Sequence, residues 1–389
     1  MNILTIPYIA GGLSHLLPLY VLQQKYLRNN TGIKNHFLVN EHSQKLLTIQ
    51  GVDLVPINYT LKENLLKSNG SQEIKEDIID MEKRAYEIVQ PSLIIEDTSM
   101  LTPLIAEKNK IPRISIQRTG IFRSIDRAYR NEKHVHSLAK GNTDSAFENP
   151  SVFFTSHDDF NAPFLMQYAK PKAKIIPGIP SIERLPENIE NRESYFYSGP
   201  LIVMDKPSKN LSLKLEEFLN TNKEKPLVFI TTGTIDRTPI ENFIEFFVQR
   251  GYAVITTCQC EVNEKYSQEI FYNKLLPLHY ICGIANLVIH QCGSGMYHYP
   301  IMNRVPSFTV GTQCYDREDI ALRLQELGVS AHIPHPDDNS DFWNIFLEKV
   351  ILFENNSLID YEMMDRLRNE IQETMSDFKM EKVIEYALT

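Results

Sequence analysis

Two groups of residues in this chain have types and spacings that could do chemistry. The first is His290-Gln291-Cys292-Gly293-Ser294-Gly295, which follows the apolar run Ala285-Asn286-Leu287-Val288-Ile289. A β-type run that leads through small residues into a helical stretch describes a strand–loop–helix turn. Such a turn aims backbone N–H groups and the positive end of a helix dipole at its guest, and phosphate is the usual guest. Thr232-Gly233-Thr234 follows the strand-like Leu227–Ile230 and offers hydroxyls and bare backbone to phosphate oxygens; an ordinary tight turn is the alternative. Pro277 and Leu278, just before the glycine turn, could flank a nucleobase. Further along, Gly311-Thr312-Gln313-Cys314-Tyr315-Asp316 ends the next unit with polar and acidic groups. Loops leaving the carboxyl ends of strands in an open α/β sheet converge on one crevice. A diphosphate and a hydroxyl-rich group could be held there side by side, which is the shape of a nucleotide sugar.

The second group is a histidine and an acid. His15 lies in the loop Ala10-Gly11-Gly12-Leu13-Ser14-His15, between a first strand and a first helix. This loop does not spell G-x-G-x-x-G, so the dinucleotide fingerprint is absent. A neutral imidazole at that edge can take a proton from an alcohol near neutral pH; packing at a helix start is the alternative. Asp97 ends another strand, Pro91–Glu96, that feeds the same edge. Its carboxylate could hydrogen-bond the far nitrogen of His15, fix the tautomer and stabilise the imidazolium. A helix N-cap is the competing role for Asp97.

Around these residues, apolar runs of strand length alternate with amphipathic stretches, the signature of βαβ units and parallel sheets. Strands are expected at Asn2–Ile6, His36–Val39, Leu54–Ile57, Leu93–Glu96, Arg113–Gln117, Val152–Thr155 and Lys174–Ile176. After the proline-rich stretch at Pro177, Pro180 and Pro186, a second series runs Leu227–Thr231, Val254–Thr257, Leu287–Ile289, Ser307–Val310 and Ala331–Ile333. The expected organisation is a first α/β domain over residues 1–180, a linker at 181–200, a second α/β domain over 201–357, and helices at 358–389 that pack back toward the first domain. A length of 389 residues suits two domains of ordinary size.

Composition narrows the function classes. A net charge of −9 argues against general nucleic-acid binding. No apolar run reaches the roughly 18 to 20 residues of a membrane span, and the N-terminus lacks the basic start and cleavage site of a signal peptide. The five cysteines, all between Cys258 and Cys314, fit free thiols in a reducing compartment. A cytoplasmic protein is expected. Cys258 and Cys260 lack a second pair, so no metal site is expected. One region reverses the overall sign: from Arg113 to Lys140 basic residues dominate, and Arg123, Arg127 and Arg130 fall at helical spacing on one face. That face could meet an anionic acceptor or an acidic membrane surface, or could simply be solvated.

Taken in order along the chain, these features resemble the GT-B-fold glycosyltransferases, the family of the UDP-glycosyltransferases and the macrolide and glycopeptide glycosyltransferases. The resemblance is carried by Gly11, His15 and Pro18, by Asp97, by Ser198-Gly199-Pro200-Leu201, by Pro226–Thr234, by His290–Gly295, and by Val305-Pro306 with Asp316. It implies two Rossmann-like domains facing across a cleft. It also implies inverting, metal-independent transfer from a nucleotide-diphosphate sugar, a UDP or dTDP sugar, to an acceptor hydroxyl. That sugar is a co-substrate, and no cofactor is implied. His15 would be the general base, oriented by Asp97. Thr232, Gly233, Thr234, Gln291, Gly293, Ser294 and Gly295 would hold the diphosphate, and Asp316 with Arg317 the sugar. The acceptor would be a small or lipid-like molecule.

Three positions depart from the family pattern. Gln291 stands where a histidine is common, Arg317 where an amide is common, and Met296 where a hydroxyl residue is common. Gln291 can donate to a phosphate oxygen but carries no charge. Arg317 could favour a carboxylated sugar or turn outward to pair with a neighbour. Two other functions share the architecture: an auxiliary partner of another transferase, and a nucleotide-sugar epimerase with Glu318 and Asp319 as its acid and base.

Overall fold

A computed structural model of the chain describes residues 1–7, 13–57, 72–97, 102–119, 171–185, 191–232, 240–259, 263–293, 295–312, 315–336 and 339–389. They divide into two compact units: Met1–Ile202 with Glu373–Thr389, and Val203–Gln372.

The first unit is built on a parallel sheet of six strands: β1 (Asn2–Pro7), β2 (Lys34–Phe37), β3 (Leu93–Asp97), β4 (Arg113–Ile116), β5 (Ala173–Ile176) and β6 (Tyr195–Tyr197). Their order is β2-β1-β3-β4-β5-β6. Strands β1, β3, β4 and β5 are buried almost throughout, as a parallel sheet covered on both faces demands. One face carries Leu4, Ile6 and Ile94, which pack with Met81, Ala85, Tyr86 and Val89 of α3 (Gln72–Val89) and with Ile105 and Ala106 of α4 (Thr102–Lys108). The other face meets α1 (Leu13–Leu22), which continues as a π-helical turn over Gln23–Leu27. A further helix, α2 (Glu41–Ile49), is capped by the Asn40 side chain, which accepts from the Ser43 N–H.

The second unit holds β7 (Leu227–Thr231), β8 (Ala253–Thr256), β9 (Ile270–Tyr272), β10 (Leu287–His290), β11 (Ser307–Val310) and β12 (Ala331–Ile333). They lie in the order β9-β8-β7-β10-β11-β12, again all parallel. In order of first appearance this reads 3-2-1-4-5-6, the doubly wound pattern. Its helices are α5 (Lys209–Thr221), α6 (Ile240–Gln249), α7 (Leu278–Ile284), α8 (His298–Asn303), α9 (Tyr315–Glu326) and α10 (Phe342–Glu354). Phe243 and Phe247 of α6 meet Phe346 of α10 edge to face, with centroids 4.9 and 5.9 Å apart, over Val228, Ile289 and Phe308 of the sheet. The chain ends with α11 (Tyr361–Asp377) and α12 (Met380–Leu388). Helix α12 packs on β4 and β5, and Tyr386 meets Phe196 of β6 at 5.6 Å.

Both sheets have one topological switch point, where successive strands diverge to opposite sides. It lies between β1 and β3 in the first sheet and between β7 and β10 in the second. Open α/β sheets bind ligands outside the carboxyl ends of the strands at such a point.

Several expected elements differ. Leu54–Ile57 makes only an isolated bridge, Leu54 to Phe37; Pro56 has no N–H to offer a ladder. The described residues of 181–200 fall within the first unit. Ile182, Glu183, Ser194 and Ser198 are buried there, and β6 joins the sheet edge. Strand Val152–Thr155 lies outside the described residues, as do Arg123, Arg127 and Arg130. Among the described residues no helix is long and apolar enough to cross a membrane.

Candidate functional site

At the switch point of the first sheet, β3 ends in Asp97, and β1 leads toward α1, whose third residue is His15. His15 Nδ1–H donates to Asp97 Oδ1 at 3.0 Å. The His15 side chain is 22% exposed and the Asp97 carboxylate is fully buried, so solvent reaches the base and not its orienting acid. Asp97 has a second partner: Arg118 Nη1 donates to Oδ1 at 2.7 Å and Nη2 to Oδ2 at 2.8 Å, a bidentate pair. Burial by itself would raise the Asp97 pKa. The Arg118 charge, the His15 ring and their hydrogen bonds outweigh it and hold the carboxyl at about 2.

Arg118 was missed as a site residue, although it stands in the basic stretch. Asp97 is in register with Ile116 of β4, and Arg118 lies two residues further on. Side chains two apart along a strand share a face, so the signal was present once β3 and β4 were known to be neighbours. The Asp97 oxygens serve both His15 and Arg118.

The preceding residue, Glu96, points to the opposite face and pairs with Arg113 at 2.6 Å, both buried. Beside it, buried Glu82 accepts from Tyr86 Oη at 2.7 Å and Thr102 Oγ1 at 2.8 Å. Burial lifts the Glu82 pKa to about 7, and that of Glu96 above the usual carboxylate range. At the edge beyond Arg118, the Thr119 hydroxyl donates to buried Glu183.

At the switch point of the second sheet, β7 ends at Thr231 and β10 at His290, which lie side by side. Gln291 follows, buried. The His290 ring turns into the fold, where burial lowers its pKa to about 3, and its Nδ1 accepts from the Cys292 N–H at 3.0 Å. That bond accompanies a left-handed Cys292, with φ of 50°. Gly295 has φ of 90°, which only glycine adopts without strain. A Cβ placed on Gly293 would meet no atom within 4 Å, so the backbone there has open space beside it.

The expected helix dipole is reduced. The N–H groups of Met296, His298 and Tyr299 are spent on the carbonyls of Gly293, Gly295 and Met296, and α8 spans only His298–Asn303. A helix so short develops little macrodipole. What remains is a turn shaped by His290, with Gln291 beside it.

Thr232 takes a sideways route: its N–H donates to Cys258 Sγ at 3.4 Å, and its hydroxyl shares a hydrogen with the same sulfur at 3.0 Å. Gly233, Thr234 and Ser294 lie outside the described residues. Pro277 stands at the N-cap of α7 and Leu278 opens that helix, both half-buried. Asp316 and Arg317 are in the first turn of α9. Arg317 is half-buried, and its Nη1 is buried with no hydrogen-bond partner among the described residues. Glu318 is engaged within the fold: Oε1 accepts from the Thr312 N–H at 2.5 Å and Oε2 lies 2.9 Å from His332 Nε2. A Cβ on Gly311 would collide with the His335 backbone nitrogen, which is why this loop needs glycine. Among the described residues no group of three or more histidine, cysteine or acidic side chains is placed to hold a metal ion.

No protein-family model matches the chain, and no curated protein matches it in sequence. Solved structures do match in fold. A UDP-glucose:anthocyanidin 3-O-glucosyltransferase in complex with UDP aligns at a TM-score of 0.69 and 14% identity, over 99% of this chain and 98% of that one. The spinosyn forosaminyltransferase SpnP aligns at 0.67 and 18%, over 100% and 99%. A UDP-glucosyltransferase from Polygonum tinctorium, capable of glucosylating indoxyl, aligns at 0.69 and 11%, over 100% and 98%. The chain therefore has the GT-B fold, with two Rossmann-like domains, over its whole length.

Proposed function

We propose that this protein is an inverting, metal-independent glycosyltransferase that moves a sugar from a nucleotide diphosphate to an acceptor hydroxyl. The observation that carries the reading is the hydrogen bond from His15 to buried Asp97 at the switch point of the first sheet. With Nδ1 occupied, Nε2 is the atom that would take the proton of an acceptor alcohol. The alkoxide character so created attacks the anomeric carbon from the face opposite the leaving diphosphate. Asp97 stays ionised and stabilises the imidazolium; a carboxyl with a pKa of about 2 does not take the proton itself.

On the second unit, charge builds on the departing diphosphate. The turn Gln291–Gly295 and the loop Thr232–Thr234 would meet it with amide, hydroxyl and backbone donors, which act best when already in place. Pro277 and Leu278 would lie against the base, and Asp316 and Arg317 against the sugar. No protein cofactor enters this scheme. The epimerase alternative needs Glu318 as a mobile acid or base, and its ties to Thr312 and His332 oppose that use.

A panel of UDP, dTDP and their sugars in thermal unfolding tests donor binding. A ligand at 100 times its Kd adds about 2.7 kcal/mol to folded-state stability. Product formation with an alcohol acceptor is then compared in His15→Ala, where transfer should fall by about 10²–10⁴-fold with donor affinity kept. Undiminished turnover would remove His15 from the mechanism. Donor binding with no transfer to any acceptor would favour an auxiliary partner.

A further inference from the structure

Among the described residues at the switch point of the first sheet, Arg118 is a charged group that the proposed mechanism does not use. Its guanidinium joins two places far apart in sequence: both oxygens of Asp97, and the Ser14 carbonyl at 3.3 Å from Nη2. The Ser14 carbonyl needs an outside donor for a reason visible in the sequence. In an α-helix it would accept from the N–H four residues on, and that residue is Pro18, inside α1, which has none. Ser14 immediately precedes His15. Arg118 therefore fastens the backbone that carries the base to the carboxylate that orients it.

We infer that Arg118 is a positioning residue for His15, completing a His15–Asp97–Arg118 relay in which it clamps Asp97 and offsets its charge. This deepens the proposed function and rests on His15 acting there as the base. Two consequences follow. The bidentate clamp fixes Asp97 Oδ1, the atom that His15 Nδ1 must find, so the imidazole is held in one orientation. Arg118 also shares the carboxylate's charge, so the imidazole faces a compensated ion pair and not a bare carboxylate. Among the described residues, Glu96 and Arg113 pair with each other on the opposite face, and Glu183 is bonded to Thr119.

Arg118→Met removes both the clamp and the charge, while Arg118→Lys keeps the charge without the fork. The first readout needs no substrate: the pH midpoint of carbethoxylation of His15 by diethylpyrocarbonate, followed on its peptide by mass spectrometry. The midpoint should rise by about one pH unit in Arg118→Met, since an opposite charge nearby favours the protonated ring, and by much less in Arg118→Lys. The second readout is turnover: kcat should fall at least tenfold in both variants with the donor KM unchanged. A merely structural arginine would leave the midpoint where it is, so an unmoved midpoint with undiminished kcat in Arg118→Met overturns the proposal. If Arg118→Met does not fold, Arg118→Lys decides on kcat, and Pro18→Ala, which gives Ser14 an in-helix donor, decides on the midpoint: a small upward shift supports the relay, none opposes it. Were His15→Ala to keep transfer, the proposed function would fail, while the midpoint would still report whether Arg118 governs His15.

Discussion

The two switch points hold their polar groups in different ways. In the first sheet, Asp97, Arg118 and His15 are charged or chargeable side chains bonded to one another, two of them buried. In the second, the groups are neutral: the Gln291 amide, threonine hydroxyls and a backbone turn whose histidine, His290, is kept uncharged by burial. Moving a proton requires a group whose charge can change and a fixed counter-charge beside it. Gripping a diphosphate requires donors that do not move and do not titrate. The contrast is what a division of labour between an acceptor-activating unit and a donor-holding unit would produce.

The contrast breaks most severely at Asp97. Asp97→Asn leaves Arg118 buried without its counter-charge, and the first unit should lose about 3–5 kcal/mol of stability. Amide hydrogen exchange in β3 reads that unit alone; unchanged protection would mean that the ion pair contributes nothing. A smaller effect concerns pH. Two of the buried carboxylates of this unit shift in opposite directions, Asp97 to about 2 and Glu82 to about 7. The Asp97 contribution is present above its unfolded pKa of 3.8 and disappears as pH falls from there through 2. The Glu82 contribution is full below its unfolded pKa of 4.5 and is lost as pH rises through 7. Glu82 should thus cost on the order of 3 kcal/mol between pH 4.5 and pH 8. Glu82→Gln should flatten that slope in denaturation measured across the range; an unaltered slope would assign it to other groups. The smallest change sharpens the comparison on the second unit. Gln291→Ala should weaken nucleoside diphosphate binding by about 1.5–3 kcal/mol in a calorimetric titration, as expected for a hydrogen bond to a charged oxygen. Its dependence on pH should be flat between 6 and 8 on the protein side, whereas a histidine at that position would titrate.

Much of this is legible in the sequence. Strands β1, β3, β7, β10, β11 and β12 are each a short apolar run, and the candidate pair His15 and Asp97 could be placed at one edge because each follows such a run. Strands β6 and β9 were not legible: each has three residues at a sheet edge and, unlike β12 with α9 and Gly328 before it, is preceded by a single short 3-10 turn. The glycine turn was legible as a turn, but not that three of its N–H groups are used internally or that α8 is so brief. Thr232 looked like a phosphate ligand from its neighbours, and only the fold shows Cys258 beside it.

What the sequence by itself determined is the class of architecture, because the period of apolar residues and the places of proline and glycine are local properties that dictate buried parallel strands joined by helices. What only the tertiary structure decided is which polar groups meet. Arg118 and Asp97 are 21 residues apart, and Arg118 and Ser14 are 104 apart. Their meeting depends on β4 lying next to β3 and on α1 covering that face. Strand order sets such neighbours, and no local stretch of the chain encodes strand order.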